Sequence, residues 1–153
     1  MANTQAMTTS FKVDLFNAVH AFNATGIPAH TVSTADTFKA ALYLTSATVN
    51  ASTTAYSASN EVSGTGYSAG GVTVTFGTAP NSSGTTSFLT PSASITYTTV
   101  TLATAFDAML LYNTSQSNKS VAVYTFTAQT VAAGTFSLTM PTNDASTGLL
   151  RIA

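Results

Sequence analysis

The sequence predicts a mainly β chain: an antiparallel β-sandwich or jelly-roll-like fold of about eight short strands, with one short N-terminal helix. Three observations carry this expectation. Apolar residues alternate with small polar ones over many short runs; Val72, Val74 and Phe76, for instance, are separated by Thr73 and Thr75. That period of two belongs to a half-buried strand. Clusters of Ser, Thr, Asn and Gly lie between such runs and read as turns. Only one stretch spaces its apolar residues by three and four.

Residues 1–9 are a polar arm without apolar periodicity, and residues 10–153 form a single β-rich domain. In residues 11–22, Phe11, Leu15, Val19 and Phe22, with Ala18, share one helical face. Ser10 is placed to cap that helix, and Gly26 and Pro28 to end it. Phe38, Ala40, Leu42 and Leu44 then alternate along a strand, and residues 72–76 make the next. A short strand over 87–90 stops at Pro91. Over 94–102 the apolar phase slips, from Ile95 and Tyr97 to Val100 and Leu102, as a β-bulge at Thr98 and Thr99 would produce. Residues 106–112 and 121–126 are apolar on both faces, which predicts central strands. The polar loop 113–120 joins them as an antiparallel hairpin. Phe136, Leu138 and Met140 alternate up to Pro141, and residues 149–152 close the chain.

Composition narrows the function classes. Of 153 residues, 44% are hydrophobic and 6% charged, against a usual charged share of about 25%. Such a chain folds, but its polar surface has to be built from Ser, Thr and Asn. With a net charge of −1, little electrostatic repulsion holds copies apart, which favours self-association. Lys12, Lys39, Lys119 and Arg151 are scattered and cannot make the basic stripe that a nucleic-acid backbone requires. No apolar run approaches the roughly 20 residues of a membrane-spanning helix. Cysteine is absent, so neither a disulfide framework nor thiolate chemistry is expected. The first nine residues carry no positive region and no apolar stretch, so no signal peptide is expected there.

One stretch imitates a nucleotide-binding motif. Gly64, Gly66 and Ala69 match G-x-G-x-x-[GA]. A dinucleotide loop must leave a buried strand and open a helix. Small polar residues precede this one and an alternating strand follows it, so the glycines are read as a tight turn. The titratable groups are Asp14, Asp36, Glu61, Asp107, Asp144, His20 and His30, and their spacing makes no metal set and no G-x-S-x-G nucleophile turn. Asp107 stands out inside an apolar strand and is expected to bond backbone amides or a lysine. Asn23, Asn50, Asn81, Asn113 and Asn118 each open an N-x-[ST] triplet, a chance match in a chain of this composition. The T-x-T runs do not repeat as an ice-binding ladder would and are ordinary solvent-facing strand positions.

Several stretches together resemble a family of small virion proteins of tailed bacteriophages. They are M-A-N-T-Q-A at the start, S-F-K-V-D-L over 10–15, D-T-F-K-A-A-L-Y over 36–43 and N-E-V-S-G-T-G-Y-S-A-G-G over 60–71. L-L-Y-N-T-S over 110–115, G-T-F-S-L-T-M-P-T over 134–142 and G-L-L-R-I near the end complete the set. The likeness runs over nearly the whole chain. Its closest functional analogy is to capsid decoration, or cement, proteins. It implies a non-enzymatic, β-rich subunit, often trimeric, made in the host cytoplasm and carried on the outer capsid surface of the virion, where it bridges capsomers of the major capsid protein. No catalytic residue, cofactor or metal comes with it. The expected partners are copies of the chain itself, with a trimer favoured, and the major capsid protein; nucleic acid and membrane are not expected. The candidate partner contacts are Asn3, Gln5 and Met7, on an arm expected to order only against a neighbour, and Tyr67 beside the glycine turn. The alternative is a receptor- or glycan-binding module of a tail fibre or baseplate, since a Ser/Thr/Asn-rich surface with exposed Tyr suits sugars.

Overall fold

The computed structural model describes residues 3–16, 19–22 and 35–153. Among these, the elements run β1 (Ala6–Met7), α1 (Thr9–Phe16), β2 (Phe38–Leu44), β3 (Val72–Val74), β4 (Asn81–Ser83), β5 (Thr86–Leu89), β6 (Ile95–Asn113), β7 (Lys119–Leu138) and β8 (Leu150–Ile152). They form a five-stranded sheet in the order β1-β7-β6-β2-β3 and a three-stranded sheet in the order β4-β5-β8. Every pairing is antiparallel. The mainly β, sandwich-like class expected from the alternation is therefore the one observed, with eight strands and one short helix among the described residues.

The strands are divided differently from the expectation. The runs 94–102 and 106–112 belong to one strand of 19 residues, β6, and 121–126 and 136–140 fall largely within β7, of 20 residues. The polar residues that read as breaks are bulges. Leu102 lies opposite Val131 and Phe106 opposite Gln129, so the excess residues here are on β6; between Phe106 and Ala108 the excess passes to β7, from Gln129 to Thr125. Opposed bulges bend a ribbon sharply. The bend is large: the Tyr97 hydroxyl donates to the Ala40 carbonyl at 2.7 Å, and Ala40 pairs with Leu111. A straight strand would hold residues 97 and 111 about 45 Å apart. The distal half of the hairpin (95–102 with 131–138) thus folds over one face of its proximal half (106–113 with 119–125).

The main core lies between the two halves. Ile95, Tyr97, Val100 and Leu102 pack with Phe106, Met109, Leu111, Phe38 and Leu42, closed by Phe11, Leu89 and Leu150. The opposite face of the proximal half has a second core of Ala41, Tyr43, Ala108, Leu110, Tyr112 and Val123, covered by Ala47, Val49 and Tyr56. The bulge expected at Thr98 and Thr99 is present, with register shifting between Tyr97 and Val100 and Thr99 at φ 54°.

The helix is shorter than expected. It has eight residues and ends at Phe16. The Val19 amide donates to the Asp14 carbonyl at 3.0 Å beyond its last turn. Ser10 lies within it, and Thr8 is the cap, its hydroxyl accepting from the Phe11 amide at 3.3 Å. Phe11 is buried, but Leu15 is 39% exposed and Val13 55%, while Asp14 points inward. The expected apolar face is thus turned, because Asp14 is held by a cation beneath it. Ala18, Gly26, Pro28, Asn23 and His30 lie outside the described residues. β3 ends at Val74, yet Phe76 continues its alternation into the core. β4, made of Asn81, Ser82 and Ser83, carries no apolar residue and owes its strand to pairing with β5.

Candidate contact surface

The arm is tied into its own domain. β1 extends the sheet edge, with Ala6 opposite Val123 and Met7 opposite Ala122. The Thr4 amide donates to the Val49 carbonyl at 3.0 Å. The Asn3 side-chain amide donates to Asp107 Oδ1 at 2.6 Å and to the Leu44 carbonyl at 3.1 Å, and its oxygen accepts from the Val49 amide at 3.0 Å. This corrects two expectations. An arm ordered only on a neighbour does not describe residues 3–8, because the open edge of β7 and the strand-borne Asp107 supply its partners. Asp107 takes the amide of Asn3 rather than backbone amides or a lysine. Gln5 stays exposed, and with Met7, Tyr124 and Arg151 it lines a groove of about 240 Å³ between the arm and the end of the chain.

Tyr67 faces inward. Its hydroxyl donates to Glu61 Oε1 at 2.8 Å and accepts from the Leu42 amide at 3.0 Å, and its ring stacks on Tyr97 at 5.8 Å. Glu61 also accepts from the Tyr56 hydroxyl at 2.6 Å and the Gly70 amide at 2.7 Å. One half-buried carboxylate thereby gathers the segment 56–70 onto the sheet. Nearby, the Tyr112 hydroxyl donates to the Gly70 carbonyl at 2.8 Å and that of Tyr43 to the Ser57 carbonyl at 2.5 Å. Burial raises all of these phenols, Tyr43 and Tyr112 to about 12, and the Glu61 charge adds to the effect. They are donors throughout the neutral range.

The glycine motif belongs to the same construction. Gly66 has φ 78°, and a Cβ there would lie 2.1 Å from the Thr99 carbonyl oxygen; at Gly71, φ 72°, it would lie 1.6 Å from that of Ala40. These glycines let the loop press against the backbones of β6 and β2, and no helix follows them. Thr101 donates its amide to the Thr65 carbonyl at 2.9 Å, so the loop serves as a partial strand beside distal β6.

At the hairpin turn the polar groups close on one another. Lys119 Nζ contacts Asp14 at 2.8 and 3.0 Å. His20, its side chain fully enclosed, faces Asp14 through Nε2 at 3.5 Å, long for a hydrogen bond. Asn113 accepts the Ser115 and Gln116 amides on its oxygen, at 3.0 and 3.2 Å. That turns its amide nitrogen to Asp36 at 2.7 Å and to His20 Nδ1 at 3.0 Å. Nδ1 is then an acceptor and His20 is neutral. Burial lowers its pKa, against the pull of Asp14 and Asp36. Elsewhere Asp144 accepts the Ser146 and Thr147 amides at 2.7 and 2.8 Å, which lower its pKa. Among the described residues, every carboxylate is thus engaged by its own chain, and no group of three His, Cys, Asp or Glu side chains could hold a metal ion. Nor is any described helix long and apolar enough to cross a membrane.

The outward face of the distal half is uncharged. Thr98, Thr99, Thr135 and Ser137 cover it, and Ala103 and Thr104 are exposed at the bend beside it. Thr65, Thr99, Thr101, Ala133, Gly134 and Thr135 line a shallow groove of about 330 Å³ there. A smaller apolar groove, of about 120 Å³, lies where the exposed Leu15 and Ile152 meet Phe11, Phe22 and Phe88. Sequence reasoning missed Glu61, Thr8 and Asp14 as organising residues. The tyrosines within nine residues of Glu61, at 56 and 67, were the available signal for the first. No family model, curated protein or solved structure matches the chain.

Proposed function

We propose that this chain is a structural protein of a phage virion, without enzymatic activity, that decorates the outer capsid surface and bridges neighbouring capsomers of the major capsid protein. One observation carries the reading: the described carboxylates are consumed as internal ties, and the broad outward face of the distal hairpin is neutral Thr, Ser and Ala. Such a surface recognises a partner by shape and backbone hydrogen bonds rather than by charge. The likeness of the sequence to small virion proteins points the same way. The protein would be added to shells that lack it and located by electron microscopy. Regular density on the outside of the shell, with a raised melting temperature of the particle, is the expected result. Density confined to the tail tip would overturn the reading in favour of a receptor- or glycan-binding module.

A further inference from the structure

We propose that two copies of this chain join through the outer edge of β7, residues 134–138 of one running antiparallel to the same residues of the other. The inference takes up the self-association that the near-neutral composition favours and assigns it a surface, and it needs no capsid. β1 covers β7 only at Val123 and Ala122. From Tyr124 to Leu138, no backbone hydrogen bond from another described segment reaches that edge of β7. An antiparallel edge strand turns half its N–H and C=O groups outward, a template for another strand. Natural edges are usually blunted by Lys, Pro or an inward-pointing charge. Here there is no charged residue between Lys119 and Asp144 and no proline before Pro141.

The bulge and the side chains select the register. Ala133, at φ 121°, interrupts the edge, and Gln129 folds its amide back onto the Thr127 carbonyl at 3.1 Å. Regular pairing is left to residues 134–138, of which 136–138 lie opposite Tyr97, Thr96 and Ile95 in unbroken register. A pair of identical segments centred on Phe136 is self-complementary about a two-fold axis. It sets Thr135 against Ser137 of the second copy on the outer face. The result is a hydroxyl pair like the one already made inside the chain by Thr96 and Ser137 at 2.9 Å. A second copy brings no charge to this neutral strip, so association desolvates none and meets no repulsion. The two-fold makes a dimer, where the family resemblance implies a trimer.

Light scattering and sedimentation on the isolated protein test this. The wild type should reach twice the chain mass of 15.6 kDa. T135K with S137K sets like charges across the axis and should weaken association roughly tenfold. Both positions are exposed, so the melting curve should be retained. T135K with S137E sets opposite charges across the same axis and should restore the dimer. A wild type that stays monomeric, a three-fold mass, a dimer indifferent to T135K/S137K, or no recovery in T135K/S137E would each overturn the proposal. Attachment to a shell plays no part in these readouts, so the capsid reading can fail while the dimer stands.

Discussion

The two halves of the long hairpin are built from the same two strands but differ in composition and in surroundings: the distal half alternates apolar residues with Thr, Ser and Ala, and the proximal half is apolar on both faces. In the proximal half, Met109 and Leu111 enter one core while Ala108, Leu110 and Tyr112 enter another, and all are essentially enclosed. In the distal half only Ile95, Tyr97, Val100 and Leu102 are enclosed, and the residues between them face solvent or lie at the surface. On β7 the contrast is sharper: Val121, Ala122 and Val123 are buried, but nothing from 127 to 138 is. One ribbon therefore does two jobs. Buried on both faces, a strand contributes stability; covered on one face with an open edge, it contributes surface. The bend at 103–107 separates them. The tyrosines of the 56–70 segment act as clamps, holding the loop that covers one half and flanks the other.

The comparison can be broken most directly in the core. Leu111→Ala empties a fully enclosed site and should cost about 3–4 kcal/mol, whereas Leu138→Ala, at the half-buried end of the distal ribbon, should cost about 1 kcal/mol. Urea unfolding of the two variants measures the gap, and equal losses would mean that the halves are equally packed. Gly66→Ala comes next. Its Cβ would collide with the Thr99 carbonyl in a left-handed backbone, so a loss of about 2–3 kcal/mol is expected. Amide exchange should locate the loosening along distal β6, with the proximal strands still protected.

The smallest effect concerns pH and the proximal tip. The folded state holds His20 neutral, with its pKa below the ordinary value of 6.5. The unfolded chain therefore takes up the proton first. Stability is full above pH 6.5 and declines as pH falls through that value toward the folded pKa. His20→Gln should flatten this part of the profile, because a glutamine has no proton to gain there. Acid should raise exchange at the amides of Ser115 and Gln116, which rest on Asn113, before it raises exchange in distal β6. A stability profile unchanged by H20Q between pH 7 and the acid limb would remove His20 from the account.

Much of the strand pattern was legible because burial on one face writes a period of two into the residues themselves. Val72, Val74 and Phe76, the phase slip at Thr98 and Thr99, and the doubly apolar run 106–112 each state their own environment. The class of fold follows from such local statements. The loop at 64–71 was also legible as a glycine turn rather than a nucleotide site, since what flanks a motif is as local as the motif. Continuity was not legible. Ala103, Thr104 and Ala105 look the same whether a strand ends there or bulges and goes on, because the difference lies in which residues of β7 stand opposite. The same holds for Asn3, whose partners Leu44, Val49 and Asp107 are remote in sequence. It holds for Asp14 and Lys119, 105 residues apart, and for the hold of Glu61 on Tyr67, itself stacked on Tyr97. The sequence alone determined that this chain is a nearly uncharged β protein with one helix. Tertiary structure decided that two strands bend to enclose the core, that the arm belongs to its own sheet, and that the distal edge of β7 is left open among the described residues. A hydrogen bond or ion pair between distant residues leaves no periodic trace along the chain, and only the folded arrangement brings its two ends together.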